Sequence, residues 1–309
     1  MISKDNTIQL KAIAIIIVMI GHLITVNKTP FPSELRWTAS FGVTIFLLLS
    51  GYGLMKSFEQ NGLKGFFRKR LLTVLLPFYI MTVFTYLING SRQNSIHDLF
   101  KTLTFTNLDM NIDGTMWYIY FISIWYIAFY VAARVLKSPT LICSFLFFIS
   151  TLFILKNPFI GHENLRFQTT LHAFSFPIGV ATSQLFMSKL LRHVISILGI
   201  TACAFIYISQ WEIYQDYKFI LSCLSFGLSI TLIVSCYEFS LKPLVFVGLI
   251  SYEAYLIEGV TLRYHFSDSW LMDCAMFFVV TFCLAIALKR LNTYILYGLA
   301  GKKQKMIRE

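Results

Sequence analysis

The sequence predicts an all-α polytopic membrane protein of about ten transmembrane helices, with both termini in the cytoplasm. Of its 309 residues 57% are hydrophobic and only 13% charged, at a mean hydropathy of +0.68. A soluble domain carries about a quarter charged residues, because its surface meets water on every side. The uncharged residues also gather into runs, among them 12–27, 37–55, 71–91, 114–133 and 219–237. About 20 apolar residues suffice to cross a hydrocarbon core of about 30 Å.

Taken in chain order, the runs place helices at 8–26, 39–57, 71–88, 115–135, 139–156, 171–188, 193–210, 219–236, 244–262 and 270–289. The first reaches Gly21 and His22 without a small-residue cleavage site, so it reads as a retained helix and not a signal peptide. The second holds the small residues of Ser50-Gly51-Tyr52-Gly53, which let a neighbouring helix approach closely. The third starts at the basic triad Arg68-Lys69-Arg70 and contains Pro77, and the fourth opens on Trp117-Tyr118. The sixth is rich in Ser and Thr, and the ninth carries Glu253 and Glu258. With no linker, low-complexity stretch or fixed-period repeat, residues 1–309 read as a single integral-membrane domain.

Charge orients the chain. With the N-terminus inside, 18 of the 26 Lys and Arg residues fall on the cytoplasmic side, including Lys56, Lys64, the 68–70 triad, Lys189 and Arg192. This is the bias of the positive-inside rule, and an even helix count agrees with it. The net charge of +11 is therefore explained by topology, and no extramembrane domain is left to bind nucleic acid. The longest outer segment is 89–114, with 157–170 next; connections of this length are often functional. The six cysteines all lie in apolar runs without C-x-x-C spacing and read as small hydrophobes, with no metal site expected.

Ionisable groups at membrane depth are costly and mark functional positions. Lys11 and His22 stand eleven residues apart in the first helix, close to three turns, which puts them on one face about 16 Å apart along the axis. Each also has a plain reading: Lys11 as a cation snorkelling to the inner interface, and His22 as a hydrogen-bonded or interfacial histidine. The 68–70 triad is topogenic on the same footing, yet three cations at a helix mouth also suit an anionic phosphate ligand.

Together these elements resemble a known family. Lys11 and His22, the stretch from Gly42-Val43 through Phe46 to Ser50-Gly51-Tyr52, the stretch from Arg68-Lys69-Arg70 to Pro77, Trp117-Tyr118, and Ser251-Tyr252-Glu253-Ala254-Tyr255-Leu256 are similar to the acyltransferase-3 family. These are ten-helix membrane proteins that acylate, most often O-acetylate, cell-surface carbohydrates. The resemblance implies His22 as catalytic residue with Lys11 as its supporting cation. It implies Lys11, Arg68, Lys69 and Arg70 as binders of the acyl donor, and Ser50, Tyr52, Trp117, Tyr118 and Glu258 as contacts of the acceptor. The chain departs from the family where a second arginine often follows, having Thr73 instead. It has Thr44 where many members carry Asp after the Gly-Val pair.

The chemistry is consistent with that implication. Acyl transfer from a thioester to a hydroxyl needs a base, and histidine has the reference pKa to serve near neutral pH; the imidazole can equally be acylated itself, and the sequence leaves both routes open. Acetyl-CoA is expected as co-substrate, with no permanently bound cofactor. Its phosphates would lie near Lys11 and the triad on the cytoplasmic side. A surface or lipid-linked carbohydrate would approach from outside under 89–114, where Trp117 and Tyr118 could stack on a sugar ring or serve as interfacial belt residues. The expected setting is the cell (cytoplasmic) membrane, crossed many times, in contact with membrane lipids; oligomeric state is not legible. The competing reading is a transporter or flippase of glycan precursors, which usually shows an internal repeat with paired broken helices; a polysaccharide polymerase would have a larger charged outer loop.

Overall fold

The computed structural model describes residues 2–90, 95–106, 112–156, 165–208, 215–237 and 240–306. It is all-helical, and the described residues contain no strand. This is the composition that hydrocarbon imposes, since a helix satisfies its own backbone where no water can. Among the described residues seven helical segments are long and apolar enough to cross a membrane, against the ten expected, and a further interrupted pair passes the same test if taken as one span.

The elements are α1 Lys4–Thr25, α2 Thr38–Asn61, α3 Phe66–Arg70, α4 Leu76–Thr85, α5 Ile96–Leu103, α6 Trp117–Val135 and α7 Pro139–Lys156. They continue with α8 Leu165–Leu171, α9 Ser175–Gln184, α10 Lys189–Ile208, α11 Gln215–Val234, α12 Lys242–Leu249, α13 Ser251–Thr261 and α14 Trp270–Met306. Three of the expected helices differ from their sequence reading. The sixth, expected at 171–188, is the shorter α9; a turn at 172–174 separates it from α8, which falls in the segment expected to be an outer connection. The ninth is divided into α12 and α13 at Ile250, whose φ of −109° and ψ of 8° leave the helical region. The last runs on through Lys289 and Arg290 to Met306, its polar C-terminal stretch lying beyond the apolar span.

A fourth irregularity surrounds Pro77. Between α3 and α4 the residues Leu71–Leu75 form a π-turn, with Leu76 N–H donating to Leu71 O. Proline has no N–H, and its ring collides with the carbonyl four residues back. Widening the ladder by one residue carries the helix past it without a full break.

By their contacts the residues form two compact units, one of 1–22, 32–64 and 121–249, the other of 23–31, 65–120 and 250–309. In the first, α2 is the central helix and is buried on most of its circumference, which accounts for its nearly continuous apolar sequence. Leu10 and Ala14 of α1 pack on Ile45 and Leu49, and Phe41 packs on Phe226 of α11 at 4.9 Å. Against α9 the contact is backbone to backbone. A Cβ on Gly51 would collide with the Phe176 carbonyl, and one on Gly179 with the Leu48 carbonyl, so each helix supplies the notch for the other. Trp125 of α6, fully buried, stacks on Phe176 at 5.4 Å and 13° beside this contact.

The outer faces of α7, α10 and α14 expose Leu141, Phe148, Ile197, Leu198, Phe205, Leu284 and Leu291. Such a surface would aggregate in water and is the expected one against lipid.

In the second unit α13 packs on α4 and α14. Thr261 and Thr281 share a buried hydroxyl hydrogen bond of 2.7 Å. Lys28 and Asp273, which the sequence alone leaves as separate interfacial charges, form a buried pair at 3.3 Å with side chains 2% and 4% exposed. Lys28 Nζ also donates to the Tyr264 carbonyl. Burying two charges is tolerated when each is paired and hydrogen-bonded. Within the 89–114 segment, α5 starts in a capping box: the Ser95 hydroxyl and amide both donate to the Asp98 carboxylate, while Asp98 N–H donates back to Ser95 Oγ. The hydroxyl first and the amide second hold Asp98 below the usual carboxylate range. Its stabilising contribution is thus present above the unfolded pKa and fades as pH falls through the folded one.

Replacing Gly51 or Gly179 by Ala is expected to drive α2 and α9 apart. Each variant should show a lower thermal midpoint in detergent and poor recovery of monodisperse protein, whereas Ala at Gly53, where nothing lies within 4 Å, should behave as wild type.

Candidate functional site

The residues singled out by sequence fall into both units. In the first, Lys11 and His22 lie on α1, each half-buried between apolar residues that are almost wholly buried. The helix is unbroken between them, so the eleven-residue spacing keeps both on one side. Ser50 is half-buried one residue before the Gly51 contact, and the Tyr52 hydroxyl accepts the Ile2 amide at 3.0 Å.

Two further polar residues enter this unit at depth. His172, at the turn between α8 and α9, is fully buried, and its Nδ1 is 3.1 Å from Oγ1 of Thr44, itself fully buried on α2. The position after Gly42-Val43 is therefore bound to a histidine 128 residues away. In the sequence His172 is only a weaker candidate for the acceptor site, and its partner is visible only once α2 and the turn pack together.

In the second unit the basic triad is divided by exposure. Arg68 and Lys69 are exposed, while Arg70 is half-buried with its guanidinium 5.4 Å from the centre of the Phe66 ring. The π-turn that follows carries the chain from these cations past Pro77 into α4.

The other three candidates of this unit are close neighbours. Trp117 is 9% exposed and Glu258 fully buried. Tyr118 packs edge-on against Tyr255 at 5.6 Å and 73°, and the Tyr255 hydroxyl donates to the Thr115 carbonyl. The Glu258 carboxylate lies within electrostatic reach of Tyr255, and so does that of Asp113. Asp113 caps the turn leading into α6, its Oδ1 accepting from Thr115 N–H at 2.9 Å and Oγ1 at 2.7 Å. Its carboxylate rests on Gly259, where a side chain would displace it. The result is a largely buried cluster of two carboxylates and three aromatic rings in one unit. Asp113 was not singled out by sequence, since it sits among other loop charges, and Tyr255 entered only within the Ser251 to Leu256 stretch, with no role of its own. The Asp-Gly-Thr spacing that makes an N-cap was the available signal for the first.

Among the described residues no three His, Cys, Asp or Glu side chains converge as metal ligands.

Long apolar helices interrupted by polar chemistry of this kind, a cation and a histidine on one helix and a buried carboxylate on another, define a multi-pass membrane protein with ionisable groups at depth. Its family follows from comparison: a model described as an acyltransferase domain matches residues 8–290, and the chain belongs to the acyltransferase-3 family. The match includes Lys11, His22, the triad, Trp117, Tyr118 and Glu258. No curated protein and no solved structure matches the chain.

Placing a methyl on Gly259 should expel Asp113 from its cap on Thr115. The Gly259→Ala protein is expected to exchange amide hydrogens faster across 112–118 than wild type, with exchange in α2 unchanged.

Proposed function

We propose that this protein is an integral-membrane O-acetyltransferase that moves an acetyl group from cytoplasmic acetyl-CoA to a hydroxyl of a surface or lipid-linked carbohydrate. Membership of an acyltransferase family supports the reaction class. The observation that carries the reading to named residues is the pair Lys11 and His22, half-buried and on one side of an uninterrupted α1.

In this reading the chain crosses the cytoplasmic membrane ten times, with both termini inside. The phosphates of the donor sit at Lys11 and at Arg68, Lys69 and Arg70, and its thin pantetheine arm brings the thioester toward His22. His22 takes the proton of the acceptor hydroxyl. The oxygen attacks the thioester carbonyl, the C–S bond breaks, and the coenzyme A thiolate leaves and is protonated. Acylation of the imidazole before transfer is the variant route, distinguished by label retained on the protein when no acceptor is present. Trp117, Tyr118 and Glu258 contact the acceptor, and Ser50 and Tyr52 are substrate contacts on the first unit.

The orientation is tested by cysteine accessibility. A thiol at Ser95 should label only from outside and one at Lys303 only from inside; labelling of the former from the inner side alone overturns the donor-inside arrangement.

The chemistry is tested with purified protein in nanodiscs and labelled acetyl-CoA. His22→Ala should insert normally and lose transfer by about 10²- to 10⁴-fold, the usual effect of a lost general base. His22→Gln keeps a polar side chain of similar reach but cannot take up the proton, so it should fail as completely. A His22→Gln protein that transfers acetyl near the wild-type rate would falsify the mechanism and favour transport. Lys11→Arg should retain most of the activity that Lys11→Ala loses.

For Arg70, replacement by Ala should raise the KM for acetyl-CoA, since a lost charge-assisted contact costs about 1.5–3 kcal/mol, and leave the acceptor KM unaltered. Donor kinetics that do not change would return the triad to a topogenic role.

A further inference from the structure

The last turn of α1, which carries His22, is closed by the residues that follow it. Asn27, at φ 56°, donates its amide to the Ile24 carbonyl, and Lys28 donates its amide to the Leu23 carbonyl, both at 3.0 Å. This is the Schellman pattern, which satisfies two helix-end carbonyls and fixes the residues after the helix relative to its final turn. Lys28 is therefore a rigid extension of the turn that holds His22.

Residues 23–31 and α14 belong to one compact unit, and the Lys28 side chain joins them. Its ammonium lies 3.3 Å from Asp273 Oδ2 and donates to the Tyr264 carbonyl. Asp273, in the first turn of α14, is itself aimed, because its Oδ1 accepts the Phe266 amide at 2.6 Å. The Phe266 ring stands 5.7 Å from the ammonium, and the Cys274 thiol donates to the Lys28 carbonyl at 3.6 Å. Both charges are shielded from water.

A buried ion pair is a poor source of stability. Desolvation costs about as much as the attraction returns, and apolar side chains of similar volume often serve as well or better. What the pair provides is direction: charges with fixed hydrogen-bond partners accept one arrangement, whereas apolar contact is non-directional. Here the directed contacts tie the residue six positions after His22 to the start of α14.

We propose that Lys28 and Asp273 are positioning residues, which set the height and rotation of the last turn of α1 and through it the imidazole of His22. This rests on the reading of His22 as the reacting histidine. The pair acts through the helix end and not on the substrates. A small displacement of a reacting group lowers the rate of the chemical step without weakening the binding of the donor.

The test compares two ways of removing the pair, in the full chain reconstituted in nanodiscs. Lys28→Met alone leaves Asp273 a buried charge without its cation and should lower the thermal midpoint. Lys28→Met combined with Asp273→Leu removes both charges, and its midpoint should return to the wild-type value or exceed it. The double variant should nevertheless keep the catalytic defect, with kcat for acetyl transfer about 10- to 100-fold below wild type and the KM for acetyl-CoA unchanged. Lys28→Arg should recover most of the rate. A second readout needs no transfer: the rate at which diethyl pyrocarbonate modifies His22, followed by peptide mass spectrometry, should change several-fold in the double variant. Amide exchange over residues 20–28 should quicken with it, while exchange in α11 stays as in wild type.

A stable double variant with wild-type modification of His22 and wild-type exchange overturns the proposal. So does one whose kcat equals that of wild type while His22→Ala is inactive. If the wild-type protein transfers no acetyl, or His22→Ala transfers as well as wild type, the reading of His22 fails instead, and the modification and exchange rates still decide whether the pair sets its position. Should the double variant not be recovered folded, the nearly isosteric Asp273→Asn takes its place under the same criteria.

Discussion

Hydrocarbon offers no hydrogen bonds, and that constraint shapes every part of this structure. It makes the described chain entirely helical, because each peptide group must find its partner within its own element. It lets apolar side chains cover the outside as readily as the inside, as on α10 and α14. It also removes the hydrophobic effect as the force that brings helices together, so close packing has to serve. The Gly51–Gly179 crossing is the most direct expression of this: two helices meet through their backbones, and the Trp125–Phe176 stack fills the space beside the crossing.

The same constraint explains why polar residues at depth come in pairs. Lys28 with Asp273, Thr44 with His172 and Thr261 with Thr281 are each buried, and each satisfies a group that would otherwise be costly.

Helix interruptions follow a parallel logic. The π-turn before Pro77 has a covalent cause in the missing N–H. The breaks at 172–174 and at Ile250 have no proline at the break. Each lies beside a buried ionisable residue, His172 at the first and Glu258 two turns into α13 after the second. Irregular backbone within an apolar segment is tolerated where protein surrounds it.

Much of the architecture was legible in the sequence. Composition determined the class, the apolar runs located most of the helices though not the number long enough to cross a membrane, and the first-helix pair with the later motifs pointed to the family. Those features depend on local composition and on a fixed helical rise, so they survive reading one residue at a time. The burial of Lys28 against Asp273, the seating of Asp113 on Gly259 and the pairing of Thr44 with His172 were decided only by tertiary structure. Each is a meeting of residues from separate helices, and whether a charged or polar side chain reaches lipid, water or a partner depends on which neighbour packs beside it.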